Sequence, residues 1–218
     1  MHRLHYSPGA CSLAVYIALE EIGETYEAKL CSVHGNEGTR SPSYLALNPK
    51  GRVPALTEVS GSAGGASGLL TEVTAILMYL GRSRPEAGLL PADAAGEARC
   101  LEWLSWLSID LHGIGYGLLW RAHRFVDDPA LHPAAVEKGR SNIRNCYDHI
   151  EKILSDGRDW AVPGQFTVVD PYLLVFWLWG KSIGLDMKKN WPHWTRLMGK
   201  VLERPAVQQA LRQEGLTP

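Results

Sequence analysis

The first residues able to do chemistry lie in Tyr6-Ser7-Pro8-Gly9-Ala10-Cys11-Ser12-Leu13, where a turn rich in Ser, Pro and Gly delivers a thiol to the start of an apolar segment. At the start of a helix, free backbone N–H groups and the positive end of the dipole favour an anion. A dipole worth roughly 1 kcal/mol predicts a Cys11 thiol about one unit easier to ionise than a free cysteine of pKa about 8.5. The competing reading is a small apolar residue packed beneath the helix, since free cysteine is among the most buried residue types. Cys31, Cys100 and Cys146 are scattered, with no CxxC pair, and none of the eight histidines stands in an HExxH arrangement. His2 and His5, three apart on a strand, point to opposite faces. This spacing offers no metal cage and reads as cytosolic thiols rather than a disulfide frame.

Alternating and helical patterns indicate which elements carry that thiol. Residues 3–6 read as a strand, the segment after Cys11 as a helix to Ile22 stopped by Gly23, and residues 26–31 as a second, parallel strand. A helical turn at 42–47 precedes a third strand at 53–59, which starts with a proline where a missing donor is tolerated. Residues 60–68 are only Gly, Ala, Ser and their like and read as a hairpin tip, with a short strand at Leu69-Leu70 after it. Thr71 is the expected N-cap of a helix from Glu72 to Leu80. Residues 81–94, with Pro85 and Pro91, read as a linker, and beyond it the pattern is helical to the end. A helix over 97–120 carries a stripe of Leu101, Leu104, Leu107 and Leu111, and a second over 133–154 carries Val136, Ile143, Tyr147, Ile150 and Leu154. At 166–172, Thr167 and Asp170 form a capping box, with Phe166 as a staple, ahead of a helix apolar nearly all round.

Composition excludes more than it selects. The 218 residues are 45% hydrophobic and carry a formal net charge of −1. That balance gives no electrostatic reason to bind nucleic acid or an anionic membrane. The apolar run at 172–179 falls far short of the ~20 residues a bilayer span needs, and the start of the chain has no apolar signal core. The expectation is a cytoplasmic protein with no membrane partner.

Six motifs in a fixed order narrow the reading: the octet at 6–13, Leu-Asn-Pro-Lys-Gly-Arg-Val-Pro-Ala-Leu at 47–56, Leu-Thr-Glu at 70–72, Leu-Glu-Trp-Leu…Asp-Leu-His at 101–112, Phe-Thr-Val-Val-Asp-Pro-Tyr at 166–172 and Arg-Pro-Ala-Val-Gln at 204–208. Together, over essentially the whole chain, they resemble the cytosolic glutathione S-transferases, and the Pro-Gly-Ala-Cys element resembles the bacterial beta class. The resemblance implies an α/β thioredoxin-like N-terminal domain at 1–81, a linker at 82–93 and an all-α C-terminal helical bundle domain at 94–218. It also implies glutathione bound between the domains as co-substrate, no metal, and a homodimer.

The resemblance further implies a glutathione site of Tyr6, Ala10, Cys11, Val53 and a cis Pro54, Glu72, Val73, Ser105, Ser108 and His112, with Cys11 and His112 catalytic. Glu72 suits the α-ammonium of the tripeptide, and the N–H of Val73 at a helix start suits its α-carboxylate. Tyr116, Leu119 and Trp120 would line the electrophile site. The expected reaction is attack of glutathione thiolate on a small hydrophobic electrophile, with thiol exchange or peroxide reduction through a Cys11 mixed disulfide as further chemistry. The alternatives are a non-catalytic ligand-binding dimer and a dedicated glutathione-dependent dehalogenase, isomerase or lyase. Val73 stands where the family has Ser or Gly. Gly113 stands in place of a Lys, and the 32–40 loop offers His34, Asn36 and Glu37 in place of a Lys pair. The Val73 change costs a hydroxyl contact and keeps the backbone one, while the other two remove positive charge that would hold the glycyl carboxylate or stabilise the thiolate.

Overall fold

The computed structural model describes residues 1–34, 38–59 and 68–217. Asn36, Glu37 and the expected hairpin tip up to residue 67 lie outside that set. Strands β1 (His2–Tyr6), β2 (Tyr26–Leu30), β3 (Ala55–Thr57) and β4 (Leu70–Thr71) form a sheet of order β2-β1-β3-β4. β1 runs parallel to β2 and antiparallel to β3, which pairs antiparallel with β4. Helix α1 (Ser12–Ile22) makes the β1–β2 crossover and ends where Gly23 takes φ 73°. Alternation along β1 divides the faces. His2 and Tyr6 meet Tyr79 and Tyr16 on the side of α1 and α3 (Val73–Ser83), whereas His5 meets Tyr44 of α2 (Pro42–Leu47) on the other.

The second unit is helical throughout: α4 (Ala94–Trp106), α5 (Gly117–Arg121), α6 (His132–Leu154), α7 (Val169–Ser182), α8 (Met187–Asn190), α9 (Pro192–Leu202) and α10 (Pro205–Glu214). α1 packs on α3 within its own unit and on α7 and α10 of the other. One apolar core therefore runs from Leu4, Leu13 and Ile17 through Ile76 and Leu104 to Phe176 and Leu197. Each such side chain, fully buried, contributes roughly 1.5–3 kcal/mol. Arg204 adds a two-toothed bridge to Glu21 at 2.6 and 2.8 Å across the same seam. No helix among the described residues is long and apolar enough to cross a membrane.

Several expectations change. β3 is shorter than 53–59, because Pro54 has no N–H to enter the ladder and Glu58 leaves the strand at φ 62°. Thr71 belongs to β4 and caps nothing; Glu72, at φ 74°, turns the chain into α3. α3 runs on to Ser83, past the expected start of the linker. Leu101 is exposed, although Leu104, Leu107 and Leu111 are fully buried. The buried face of α4 is made by Cys100, Trp103 and Leu104, and Leu101, next to Cys100, is turned about 100° around the helix from it. Between α4 and α5 the chain then winds as a π-helix from Leu107 to Tyr116. Gly139 of α6 lets this wide stretch approach, since a Cβ there would stand 2.7 Å from Leu119 N and 2.9 Å from Gly115 O.

The start of α7 behaves as its sequence predicts. Thr167 Oγ1 accepts from the Val169 N–H, while Asp170 Oδ2 accepts from the Thr167 N–H at 2.8 Å. Asp170 Oδ1 also accepts from the Ala161 N–H at 2.9 Å, which ties the preceding loop to the helix. Asp170→Ala strands both donors in a fully buried site, and we expect a loss of about 2–4 kcal/mol. The check is the urea midpoint at constant slope; an unmoved midpoint would contradict this account of the cap.

Candidate active site

The Cys11 turn is built from both units. Ser12 Oγ closes the turn on itself through the Ser7 N–H and Ser7 carbonyl, each at 3.2 Å. Gly9 adopts φ 70°, a conformation that favours glycine. Its peptide groups are taken up by the helical unit: the N–H donates to Glu214 Oε2 at 2.8 Å, and the carbonyl accepts from Trp179 Nε1 at 2.7 Å. Cys11 then caps α1, and its thiol donates to the carbonyl of Val53 at 3.4 Å, beside the cis Val53–Pro54 peptide. Ala10 packs with Val53 in a small second core.

The expected easy ionisation of Cys11 is overturned. Burial pushes the thiol up to about 12, against weaker lowering by a backbone hydrogen bond and by Arg121. A rise from 9.0 to about 12 is worth about 4 kcal/mol, more than the ~1–2 kcal/mol a helix N-terminus returns. Cys11 is a neutral thiol.

His112 lies in the π-helical stretch with its ring 5.1 Å from Trp179 and 6.1 Å from Phe176. Burial lowers its pKa to about 4, helped by Arg121 and Arg52 and opposed by Glu72, so it too is neutral at pH 7. A row of hydroxyls links it to α3: Thr74 Oγ1 to Ser108 Oγ at 3.0 Å, Ser108 Oγ to Tyr172 Oη at 3.3 Å, and Tyr172 Oη to His112 Nδ1 at 3.2 Å. Ser108 is thus occupied within the protein, and Ser105 is half-buried one turn earlier on α4.

At the start of α3, Val73 is buried and Glu72 is exposed in an ion pair with Lys50 at 2.7 Å. Exposed pairs of this kind are worth about 0–1 kcal/mol, so an incoming ammonium group can replace the lysine at small cost. Cys11, Glu72 and His112, distant in sequence, come together here: Arg121 and Glu72 act on both the thiol and the imidazole. Tyr6 does not join them; its ring stands on Tyr16 at 5.0 Å. Of the aromatic group, Tyr116 is fully buried with its hydroxyl on Tyr147 at 2.6 Å. Trp120 is 42% exposed and sits 4.8 Å from Trp179, and Leu119 is half-buried.

Sequence reasoning missed the arginines. Arg121 and Arg124, at the end of α5 and just beyond it, are both held below their ordinary pKa by burial and by the charges of Arg52 and Arg40. The ion pairs of the described residues use other arginines. Positive charge near His112 thus comes from Arg121 and Arg52, and Arg40, at the end of the 32–40 loop itself, adds to it at Arg121. The only signal in the sequence was Arg52 directly before Val53-Pro54. Among the described residues no three His, Cys, Asp or Glu side chains converge as a metal site.

Comparison with known proteins agrees with this geometry. Residues 9–83 match the model for the glutathione S-transferase N-terminal domain, and residues 123–205 match that for its C-terminal domain. The chain is 33% identical to glutathione S-transferase GstA of Escherichia coli O157:H7, over 98% of this chain and 99% of that one. It belongs to the glutathione S-transferase family. A glutathione transferase homologue from Sulfitobacter, solved with bound glutathione, superposes with a TM-score of 0.88 at 29% identity, covering 100% of this chain and 99% of the other. A beta class glutathione S-transferase from Sphingomonas chungbukensis gives 0.82 at 31% identity, covering 99% and 100%. The fold is thus a transferase fold with an α/β thioredoxin-like first unit, and the protein is a glutathione transferase with glutathione as its co-substrate.

Glu214 gives the site a measurable pH signature. Burial raises its carboxyl from 4.5 to about 7 against the Gly9 hydrogen bond, and its Oε1 has no partner among the described residues. A carboxyl with a raised folded pKa binds its proton more tightly in the native state. Its stability contribution is present below the unfolded pKa and is lost as pH rises through 7. The interval corresponds to about 3 kcal/mol. The wild-type melting temperature should therefore fall by about 6–12 °C more than that of Glu214→Gln between pH 5 and 8. Parallel curves for the two proteins would contradict it.

Proposed function

We propose that this transferase is of the beta class type and conjugates glutathione to small hydrophobic electrophiles, with Cys11 and His112 flanking the glutathione sulfur. The γ-glutamyl ammonium takes the place of Lys50 on Glu72, and its carboxylate meets the N–H of Val73. The cysteinyl backbone pairs with Val53 as an added strand beside Ala10, and the glycyl carboxylate meets the arginine group around Arg52 and Arg121. Leu119 and Trp120 receive the electrophile, with Tyr116 behind them. Residues 1–81 then form the glutathione domain and 94–218 the electrophile domain, joined through 82–93.

The observation carrying this reading is that a thiol, an imidazole and the start of α3, drawn from both units, share one environment: Trp179 donates to Gly9 in the Cys11 turn and packs on the His112 ring, and Glu72 and Arg121 act on both groups. In the reaction the thiol S–H bond breaks, its electron pair forms the bond to the electrophile, and the leaving group departs with the displaced pair. When the cysteinyl N–H of glutathione takes over the Val53 carbonyl, the single hydrogen of neutral Cys11 is released from it and donates to that sulfur more readily than the thiol attacks a disulfide, so conjugation is favoured over thiol exchange.

The protein acts in the cytoplasm as a homodimer. Its paired face is α4 and α6, where Trp103, Trp106, His149 and Ile153 line a cavity of about 720 Å³ that holds none of the site residues. Exposed Leu101 and Ile109 extend that face, and Arg99 beside Glu102 makes it self-complementary in charge.

Two measurements test the assignment of the thiol and the imidazole. With glutathione disulfide, the rate of adduct formation at Cys11 should rise about tenfold per pH unit from pH 7 to 10, because the thiolate fraction does so below a pKa of about 12. Cys11→Ala should carry no adduct by mass spectrometry; a persistent adduct places the chemistry at Cys31, Cys100 or Cys146. His112→Ala should lower kcat for chlorodinitrobenzene by about 10²-fold with the fold intact. Unchanged kinetics would remove His112 from the reaction.

A further inference from the structure

The row of hydroxyls that ends at His112 has a direction. Thr74 owns one hydroxyl hydrogen, and it donates this to the carbonyl of Leu104 at 3.2 Å, a group that can only accept. Thr74 Oγ1 therefore receives the hydrogen of Ser108. With that hydrogen used, Ser108 can only accept from Tyr172, so the Tyr172 hydroxyl donates to Ser108 Oγ. What Tyr172 then presents to His112 Nδ1 is a lone pair. Tyr172 is fully buried, so no solvent can rearrange the contact. Two lone pairs 3.2 Å apart repel, and the contact is bonding only if Nδ1 carries a hydrogen. A neutral imidazole with its hydrogen on Nδ1 leaves Nε2 bare.

We propose that Tyr172, Ser108 and Thr74 are positioning residues that lock His112 in the Nδ1–H tautomer, making Nε2 the acceptor for the proton of the glutathione thiol. The inference rests on the placement of glutathione given above. In the step, the S–H bond breaks, the electron pair stays on sulfur, and the proton passes to Nε2. Nδ1–H remains on Tyr172 throughout, so the imidazolium that forms keeps both of its hydrogens bonded. The proton leaves with the departing group or to water once sulfur has bonded to carbon. The opposite tautomer would present an N–H to the thiol and could not take its proton. The charged groups that face the ring are Arg121, Arg52 and Glu72, and its packed neighbours Phe176 and Trp179 are uncharged. Burial first, and then two arginines against one carboxylate, keep the ring neutral until the thiolate forms beside it.

The polarity can be read directly. The full chain, labelled at its histidines, is studied at pH 7 by long-range nitrogen–proton NMR, which identifies the bare ring nitrogen of each imidazole. His112→Ala assigns the signal. The wild type should show a bare Nε2. In Ser108→Ala, Tyr172 loses its acceptor and turns its hydrogen to Nδ1, so the signal should move toward the Nε2–H tautomer although Ser108 touches neither ring nor thiol. Tyr172→Phe should give a mixture. In both variants kcat with chlorodinitrobenzene should fall about 10- to 100-fold, while the KM for glutathione stays within about twofold. A wild-type Nε2–H tautomer, an unmoved signal in Ser108→Ala, or a moved signal with unchanged kcat would each overturn the proposal. Failure of the parent reading looks different: the wild type would not bind glutathione whatever its tautomer, and the proton-acceptor role would fall with it.

Discussion

The peptide groups of Gly9 are gripped from two sides by the helical unit, by Glu214 of α10 on the N–H and by Trp179 of α7 on the carbonyl. The turn that carries Cys11 thus takes its shape from helices that lie some 170 to 205 positions away in the chain. Helix α1 begins in that turn and is buried between its own sheet and those same helices. The consequence is mechanical as well as energetic. The thiol, the imidazole on the π-helical stretch and the first turn of α3 are held in one frame only while the two units stay docked, since no one unit contains all three.

Desolvation sets the chemistry inside that frame. It outweighs the helix dipole at Cys11 and leaves both Cys11 and His112 uncharged at neutral pH. A site of neutral hydrogen-bonding groups near guanidinium groups that form no ion pair among the described residues suits an anion that arrives with the substrate better than one resident in the protein. The γ-glutamyl and glycyl carboxylates, and the thiolate as it forms, are such anions. The arginines act on that site at longer range than any hydrogen bond.

Local patterns made much of this legible. The Gly23 stop, the β1–α1–β2 crossover and the Thr167–Asp170 box follow from short-range chemistry, and each stands where the residues predict it. The ordered motifs also pointed to Cys11, Glu72 and His112 as members of one site. What stayed hidden depends on distance in sequence or on burial. The periodicity of 97–120 looks helical and cannot announce a π-helix, and a stripe drawn through Leu101 misses the face that Cys100, Trp103 and Leu104 bury on α4. Thr71 has the chemistry of a cap, yet the sheet takes it. Nothing local marks Arg121 and Arg124, because the Arg52 and Arg40 charges that act on them come from the other unit. The sign of the Cys11 shift could not be read from a turn and a helix start, because the atoms that desolvate the thiol come from elsewhere in the fold.

The central claim is that both units close on the glutathione sulfur, and a crystal structure of the protein with glutathione bound tests it most directly. The account predicts the sulfur within hydrogen-bonding reach of both Cys11 Sγ and His112 Nε2, the γ-glutamyl carboxylate on the N–H of Val73, and Lys50 displaced from Glu72 by the ammonium group. A tripeptide bound with its sulfur turned away from both Cys11 and His112, or seated instead in the cavity between α4 and α6, would contradict it.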